Sequence, residues 1–174
     1  MQLQVTEKSA LLVIDVQNGV VQNAFEKDAV VVQINRAIDS ARANELPVIW
    51  VQHSEEEMPI DSHYWEIIPE LTPEPHDGRI DKVHGSSFQE TELADVLKEH
   101  DISHLYITGA QSENCVNATT VDALERGYRV SLVSDAHTTD DGSVVATING
   151  KFVESNARGE AIEVKNLDLL LPLA

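Results

Sequence analysis

Three residues with reactive side chains stand far apart in the chain, each at or just past the end of a stretch that reads as a strand. They are Asp15 after Ala10-Leu11-Leu12-Val13-Ile14, Lys82 within residues 79–83, and Cys115 beyond residues 102–108. A thiol, a carboxylate and an ammonium together suffice for nucleophilic attack on a carbonyl carbon. The nucleophile is the thiolate, and a free cysteine with a pKa near 8.5 is only ~3% ionised at neutral pH. A neighbouring Lys82 ammonium and the positive end of a helix dipole would favour the anion; lowering the pKa by two units takes ~2.7 kcal/mol. Asp15 would take the thiol proton and pass it to a leaving amine, which requires its own pKa to be raised by burial or balanced by the lysine. In the turn Gly109-Ala110-Gln111-Ser112-Glu113-Asn114-Cys115, the backbone N–H groups of Gln111 and Cys115 could face one point and hold a developing oxyanion. Each residue also has an ordinary reading: a lone cysteine is commonly a small buried apolar residue, Asp15 a turn former and Lys82 a solvated charge. Their coincidence at neighbouring strand ends favours chemistry.

The elements that must position these residues alternate along the chain. Residues 10–14 read as a buried strand, being too short for a helix and rich in branched side chains. A helix is predicted over 28–44, with Val31, Ile34, Ile38 and Ala41 at helical spacing and Asp28 as N-cap. Strands follow at 47–51, 79–83, 102–108 (closed by Gly109), 128–134 and 161–164, and helices at 91–100, 113–126 (capped by Gly127) and 143–153, with a closing turn at 166–171. Residues 52–79 carry no period and are expected to form a functional loop rather than a linker. This alternation predicts the α/β class: a single three-layer α/β/α domain over 1–174 with an open, mainly parallel six-stranded sheet. Ligands of such sheets lie beyond the carboxyl ends of the strands, where the winding direction reverses.

Composition narrows the function. The chain has 174 residues, one cysteine, 12 Lys+Arg and 30 Asp+Glu, for a formal charge of −18. That charge, with no basic patch, repels a phosphate backbone and argues against nucleic-acid binding. One cysteine permits neither an internal disulfide nor a Cys-rich metal cluster, which fits a reducing compartment. No window approaches the ~20 apolar residues of a membrane span, and the first residues lack the pattern of a signal peptide. The expectation is a soluble cytoplasmic protein acting on a small molecule, with no membrane or nucleic-acid partner.

Three motifs carry a resemblance. Asp15 in Val-Ile-Asp-Val-Gln-Asn, Lys82 in Asp-Lys-Val-His-Gly-Ser-Ser-Phe and Cys115 in Thr-Gly-Ala-Gln-Ser-Glu-Asn-Cys-Val-Asn-Ala-Thr resemble the isochorismatase-like cysteine hydrolases, the group that includes nicotinamidases, N-carbamoylsarcosine amidases and streptothricin hydrolase. The likeness extends through Gly127-Tyr128-Arg129-Val130 and Ser134-Asp135-Ala136 and covers residues 10–140. It implies an Asp-Lys-Cys triad on a six-stranded parallel sheet, a covalent acyl-enzyme, a cis peptide between Ala110 and Gln111, and a homodimer or higher homo-oligomer. Nicotinamidases carry an Asp-x-His pair after the second strand to hold a metal, and here the matching stretch is Val51-Gln52-His53. With that aspartate missing, no metal and no cofactor are expected. Cys115 argues for hydrolysis of a small amide, ureido or lactam C–N bond. Vinyl-ether hydrolysis without a thiol nucleophile, and a catalytically silent binding or assembly module on the same fold, are the alternatives.

Around the triad, Gln17, His53, Trp65, His84 and Phe88 are candidate substrate-binding residues. Glu113, two residues from the thiol, is expected to point away, since an inward carboxylate would oppose ionisation. The run Glu55 to Glu57 reads as a solvated loop, with attraction of a cationic substrate as its functional alternative.

Overall fold

A computed structural model describes residues 7–174. Six parallel strands form one sheet in the order β3-β2-β1-β4-β5-β6, with β1 at Lys8–Ile14, β2 at Val48–His53, β3 at Gly78–Lys82, β4 at Ile102–Ala110, β5 at Arg129–Thr138 and β6 at Ile162–Lys165. The chain winds outward through β1, β2 and β3, returns to place β4 against the other side of β1, and winds outward again. The reversal therefore falls between β1 and β4, the strands that end just before Asp15 and the Cys115 turn.

Side-chain alternation along each strand divides the core in two. Leu11, Val13, Val48, Trp50, Tyr106 and Val133 face helix α2 (Lys27–Ala43) and the short closing helix α6 (Leu167–Leu170). Ala10, Leu12, Ile14, Ile49, Val51, Leu105, Ile107 and Leu132 face α3 (Leu93–Glu99), α4 (Asn117–Glu125) and α5 (Gly142–Ala157). A central strand covered on both faces needs apolar residues at every position, which is why 10–14 is a continuous run rather than an alternating one. A four-residue helix, α1 (Asn18–Val21), occupies the turn after β1. Among the described residues, no helix is long and apolar enough to cross a membrane.

The sequence-based elements differ from the structure at informative points. Helix α2 starts after Glu26, held in the left-handed region, and Asp28 lies in its first turn instead of capping it. Gly109 does not close β4 but continues it, pairing with His137, and β5 runs to Thr138 because Asp135 and Thr138 find partners: Asp135 accepts from Gln33 (2.7 Å) and from the Leu167 N–H (2.8 Å), and Thr138 donates to the Phe25 carbonyl (2.7 Å). The helix expected from 113 is instead a five-residue π turn, Ser112–Val116, followed by α4.

Gly109 is the point where β4 crosses closest to β1. Its φ is +119°, and a Cβ built there would lie 2.0 Å from the carbonyl oxygen of Ile14. Both the backbone conformation and the contact exclude a side chain. Gly109→Ala is therefore expected to lower the unfolding free energy by about 3 kcal/mol or more in urea titration; a loss below about 1 kcal/mol would mean that β1 and β4 separate freely.

Candidate active site

Each reactive residue is delivered by a strand end. Asp15 follows β1 with φ of +50° and is 1% exposed, Lys82 is the last residue of β3, and Cys115 sits half-buried in the π turn after β4. The Lys82 ammonium lies 2.8 Å from Asp15 Oδ2 and 3.1 Å from Cys115 Sγ, with its side chain fully enclosed. It also donates to the His84 carbonyl at 3.0 Å and meets His53 Nδ1 at 3.1 Å. Three N–H bonds thus serve four neighbours, so the sulfur, the carboxylate and the imidazole share one charge. The Asp15, His53 and Cys115 polar atoms lie within 4.8 Å of one another, a spacing that would suit a metal ion, but their common centre is already taken by the ammonium.

The electrostatics of the empty site differ from the sequence-based expectation of a low-pKa thiol. Burial, reinforced by the Asp15 carboxylate, pushes the Cys115 thiol up to about 12. Burial also raises Asp15, against the pull of Lys82. The two acids compete for one cation, and each makes the other's ionisation harder. The remaining carboxylate oxygen, Asp15 Oδ1, is buried without a hydrogen-bond partner.

Above the triad opens a cavity of about 640 Å³. Gln111 and Cys115, the residues expected to present backbone N–H groups to an oxyanion, both line it, and the peptide joining Ala110 to Gln111 is cis. His53 lines it as well. The other four candidate binding residues do not. Gln17 is fully buried, donating through Nε2 to the His53 and Trp65 carbonyls (2.9 and 2.8 Å) and accepting from the His53 N–H (2.9 Å). It therefore fastens the 53–65 loop to the end of β1, with Trp65 in the same clamp. His84 turns its ring to Glu90 at 2.8 Å and offers only its carbonyl to Lys82. Phe88 packs in the core against Tyr128, with the Arg126 guanidinium 4.9 Å above its ring.

Two groups of residues join the site beyond the candidate binding residues, the first including glutamates for which the sequence offered a functional role only as the alternative. One is the pocket wall, in which Glu55, Glu57, Met58 and Tyr64 from the irregular loop face Gly19, Val20 and Gln22. The other supports the Cys115 turn. Asn149 Nδ2 donates to the Ser134 carbonyl (3.0 Å), so its Oδ1 faces His137 Nε2 (2.8 Å), which must carry the proton; His137 Nδ1 then accepts from Ser112 Oγ (2.7 Å). Burial holds His137 below the usual histidine range, keeping this neutral tautomer. Glu113 points away from the thiol and accepts from Thr139 Oγ1 (2.9 Å). The signal for both groups was present in the stretches Glu55-Glu56-Glu57 and Asp135-Ala136-His137, but neither has the spacing of a recognisable motif.

Residues 9–149 match the Isochorismatase domain. The chain is 34% identical to a streptothricin hydrolase of Streptomyces noursei over 95% of this chain and 71% of that protein. It is 26% identical to a ureidoacrylate amidohydrolase of Klebsiella pneumoniae over 75% of this chain and 73% of that protein. Among solved structures, an isochorismatase family protein superposes with a TM-score of 0.79 at 32% identity, covering 90% of this chain and 96% of the other. The match over most of the chain, together with a six-stranded parallel sheet that brings an aspartate, a lysine and a cysteine into contact, places this protein in the isochorismatase family of hydrolases.

Proposed function

We propose that the protein hydrolyses a C–N bond of a small amide, ureido or lactam compound through a thioester on Cys115. The observation that carries this reading is the single contact set in which Lys82 Nζ touches both Asp15 Oδ2 and Cys115 Sγ at the base of an open pocket. The ureidoacrylate amidohydrolase among the relatives supports the reaction class.

The raised thiol pKa fits a nucleophile that ionises only as it attacks. A substrate carbonyl held at the Gln111 and Cys115 N–H groups meets the sulfur while Asp15 removes the thiol proton, and Lys82 transfers its attraction to whichever partner bears the charge. The S–C bond forms and the carbonyl electrons move to oxygen. On collapse the C–N bond breaks, and Asp15 returns its proton to the leaving nitrogen. Water then attacks the thioester with Asp15 as base, releasing the acid and restoring the thiol. A carboxylate raised by burial is a better base for this than an ordinary one, since its conjugate acid is matched more closely to the proton it carries.

The same raised thiol favours one rival, a vinyl-ether hydrolysis in which Asp15 protonates the substrate and the sulfur stays protonated. Cys115→Ala separates them. The acyl-enzyme route predicts a fall in kcat of at least about 1,000-fold with substrate affinity retained, measured as ammonia or amine release from a panel of small amides. Turnover within about tenfold of the parent would sink the covalent route. In both routes Asp15 sets the acid side of the pH profile, with opposite sign. As a base with a raised pKa, Asp15 loses its active form as pH falls, so kcat/KM should decline on the acid side at a pH above the ordinary aspartate value of 3.8. An activity that rises steadily toward acid would identify Asp15 as a proton donor instead.

A further inference from the structure

The charged groups lining the cavity are of one sign. Asp15, Glu55 and Glu57 contribute carboxylates, and among the described residues no lysine or arginine lines it. The Lys82 ammonium beneath the floor is enclosed and committed to its four neighbours. His53 Nε2 faces Glu55 Oε2 at 3.6 Å, whereas Glu57 enters no ion pair among the described residues. A substrate carboxylate in this cavity would therefore meet uncompensated like charge.

Two further features face the same space. Tyr64 is 53% exposed although aromatic, and it lines the same cavity as Glu57, next to Gly19 and Met58. Its placement is built in: the Tyr64 carbonyl accepts from the Gly19 N–H (2.9 Å), and a Cβ on Gly19 would come within 2.9 Å of the Tyr64 Cβ. An exposed aromatic face bordered by carboxylates is the arrangement that holds ammonium and guanidinium groups, through the ring quadrupole and the charge together. On the floor, Asp15 is 1% exposed, and its Oδ1 is buried without a hydrogen-bond partner.

We propose that the cavity selects amides bearing a cationic ammonium or guanidinium group, seated between Tyr64 and the carboxylates of Glu55 and Glu57, and discriminates against substrates bearing a carboxylate. The inference deepens the hydrolase reading by naming its substrate class, and rests on it. Carboxylates at the mouth of a cleft raise the local concentration of cations and lower that of anions, an effect that fades as salt shortens the Debye length.

The single cysteine allows a test that needs no turnover, because every thiol reagent reports from this cavity. The probes are a cationic and an anionic methanethiosulfonate of similar size, 2-(trimethylammonio)ethyl and 2-sulfonatoethyl, with each rate divided by its rate on 2-mercaptoethanol. The ionisation of the sulfur is common to both and cancels in the ratio. At low salt the normalised ratio should favour the cation by about tenfold or more, and the double variant Glu55→Gln/Glu57→Gln should reduce it severalfold. Tyr64→Leu should lower the part of the preference that survives in about 0.5 M salt. Glu99→Gln/Glu160→Gln, at the amino ends of the strands and outside the cavity, should leave the ratio unchanged. A ratio near one, or one that moves equally with the remote pair and the cavity pair, would overturn the proposal, the latter by tracing the preference to the overall charge. Loss of discrimination overturns the selectivity whether or not amides are hydrolysed. Discrimination retained in a protein that hydrolyses none of them would count against the reaction and not against the charge selectivity of the cavity.

Discussion

An ammonium enclosed in the interior is costly unless anions or dipoles surround it, and the site is organised around meeting that demand for Lys82. Asp15 supplies the compensating charge at 2.8 Å, and Cys115, His53 and the His84 carbonyl complete the shell. Because one cation faces two acids, the carboxylate and the thiol cannot both ionise comfortably, and burial raises each. That competition is the resource the proposed chemistry would draw on. A proton moving from sulfur to carboxylate leaves the net charge of the cluster unchanged, so the transfer escapes most of the desolvation cost that ionising either group alone would incur.

Holding three side chains to this geometry falls to the sheet. β1 and β4 are neighbours at the winding reversal, and Gly109 lets them approach closely enough for Asp15 and the Cys115 turn to meet. Lys82 comes from β3 at the sheet edge, two strands away from β1, and reaches the centre along the carboxyl ends of the strands. Side chains that never touch the cavity keep these parts in register: Gln17 ties the wall loop to the end of β1, and the Ser112–His137–Asn149 chain ties the Cys115 turn to β5 and α5. A second buried histidine, His104, bridges Ser9 and Ser131 across three central strands near their amino ends, where burial lowers it to about 4. It serves cohesion rather than chemistry.

The convergence of Asp15, Lys82 and Cys115 was legible in the sequence because each stands at or just past the end of a predicted strand, and parallel strands bring such ends to one edge. The sheet's length was less so. Asp135 and Thr138 look like loop residues, and only tertiary partners on and just before α2 and at the start of α6 let β5 run through them. The π turn was invisible, since nothing in Ser-Glu-Asn-Cys-Val distinguishes a wider turn from an α-helical start. The binding wall was misread in both directions. Phe88, beside the Lys82 motif, and Trp65, inside the irregular loop, drew attention as aromatics but serve packing and loop anchoring, whereas Tyr64 and the glutamates of that loop form the wall. Side-chain direction in such a loop depends on contacts such as Gln17 to His53, which leave no pattern in the chain.

The central claim is that Asp15 and Cys115 compete for the charge of one lysine. Thiolate absorbance near 240 nm measures this directly, because the single cysteine can be isolated by subtracting a Cys115→Ser control. In the parent protein the thiolate should be absent through neutral pH, and in Asp15→Asn it should appear at markedly lower pH, since the sulfur then has the ammonium to itself. A thiol titration that is the same with and without the Asp15 carboxylate would contradict the account.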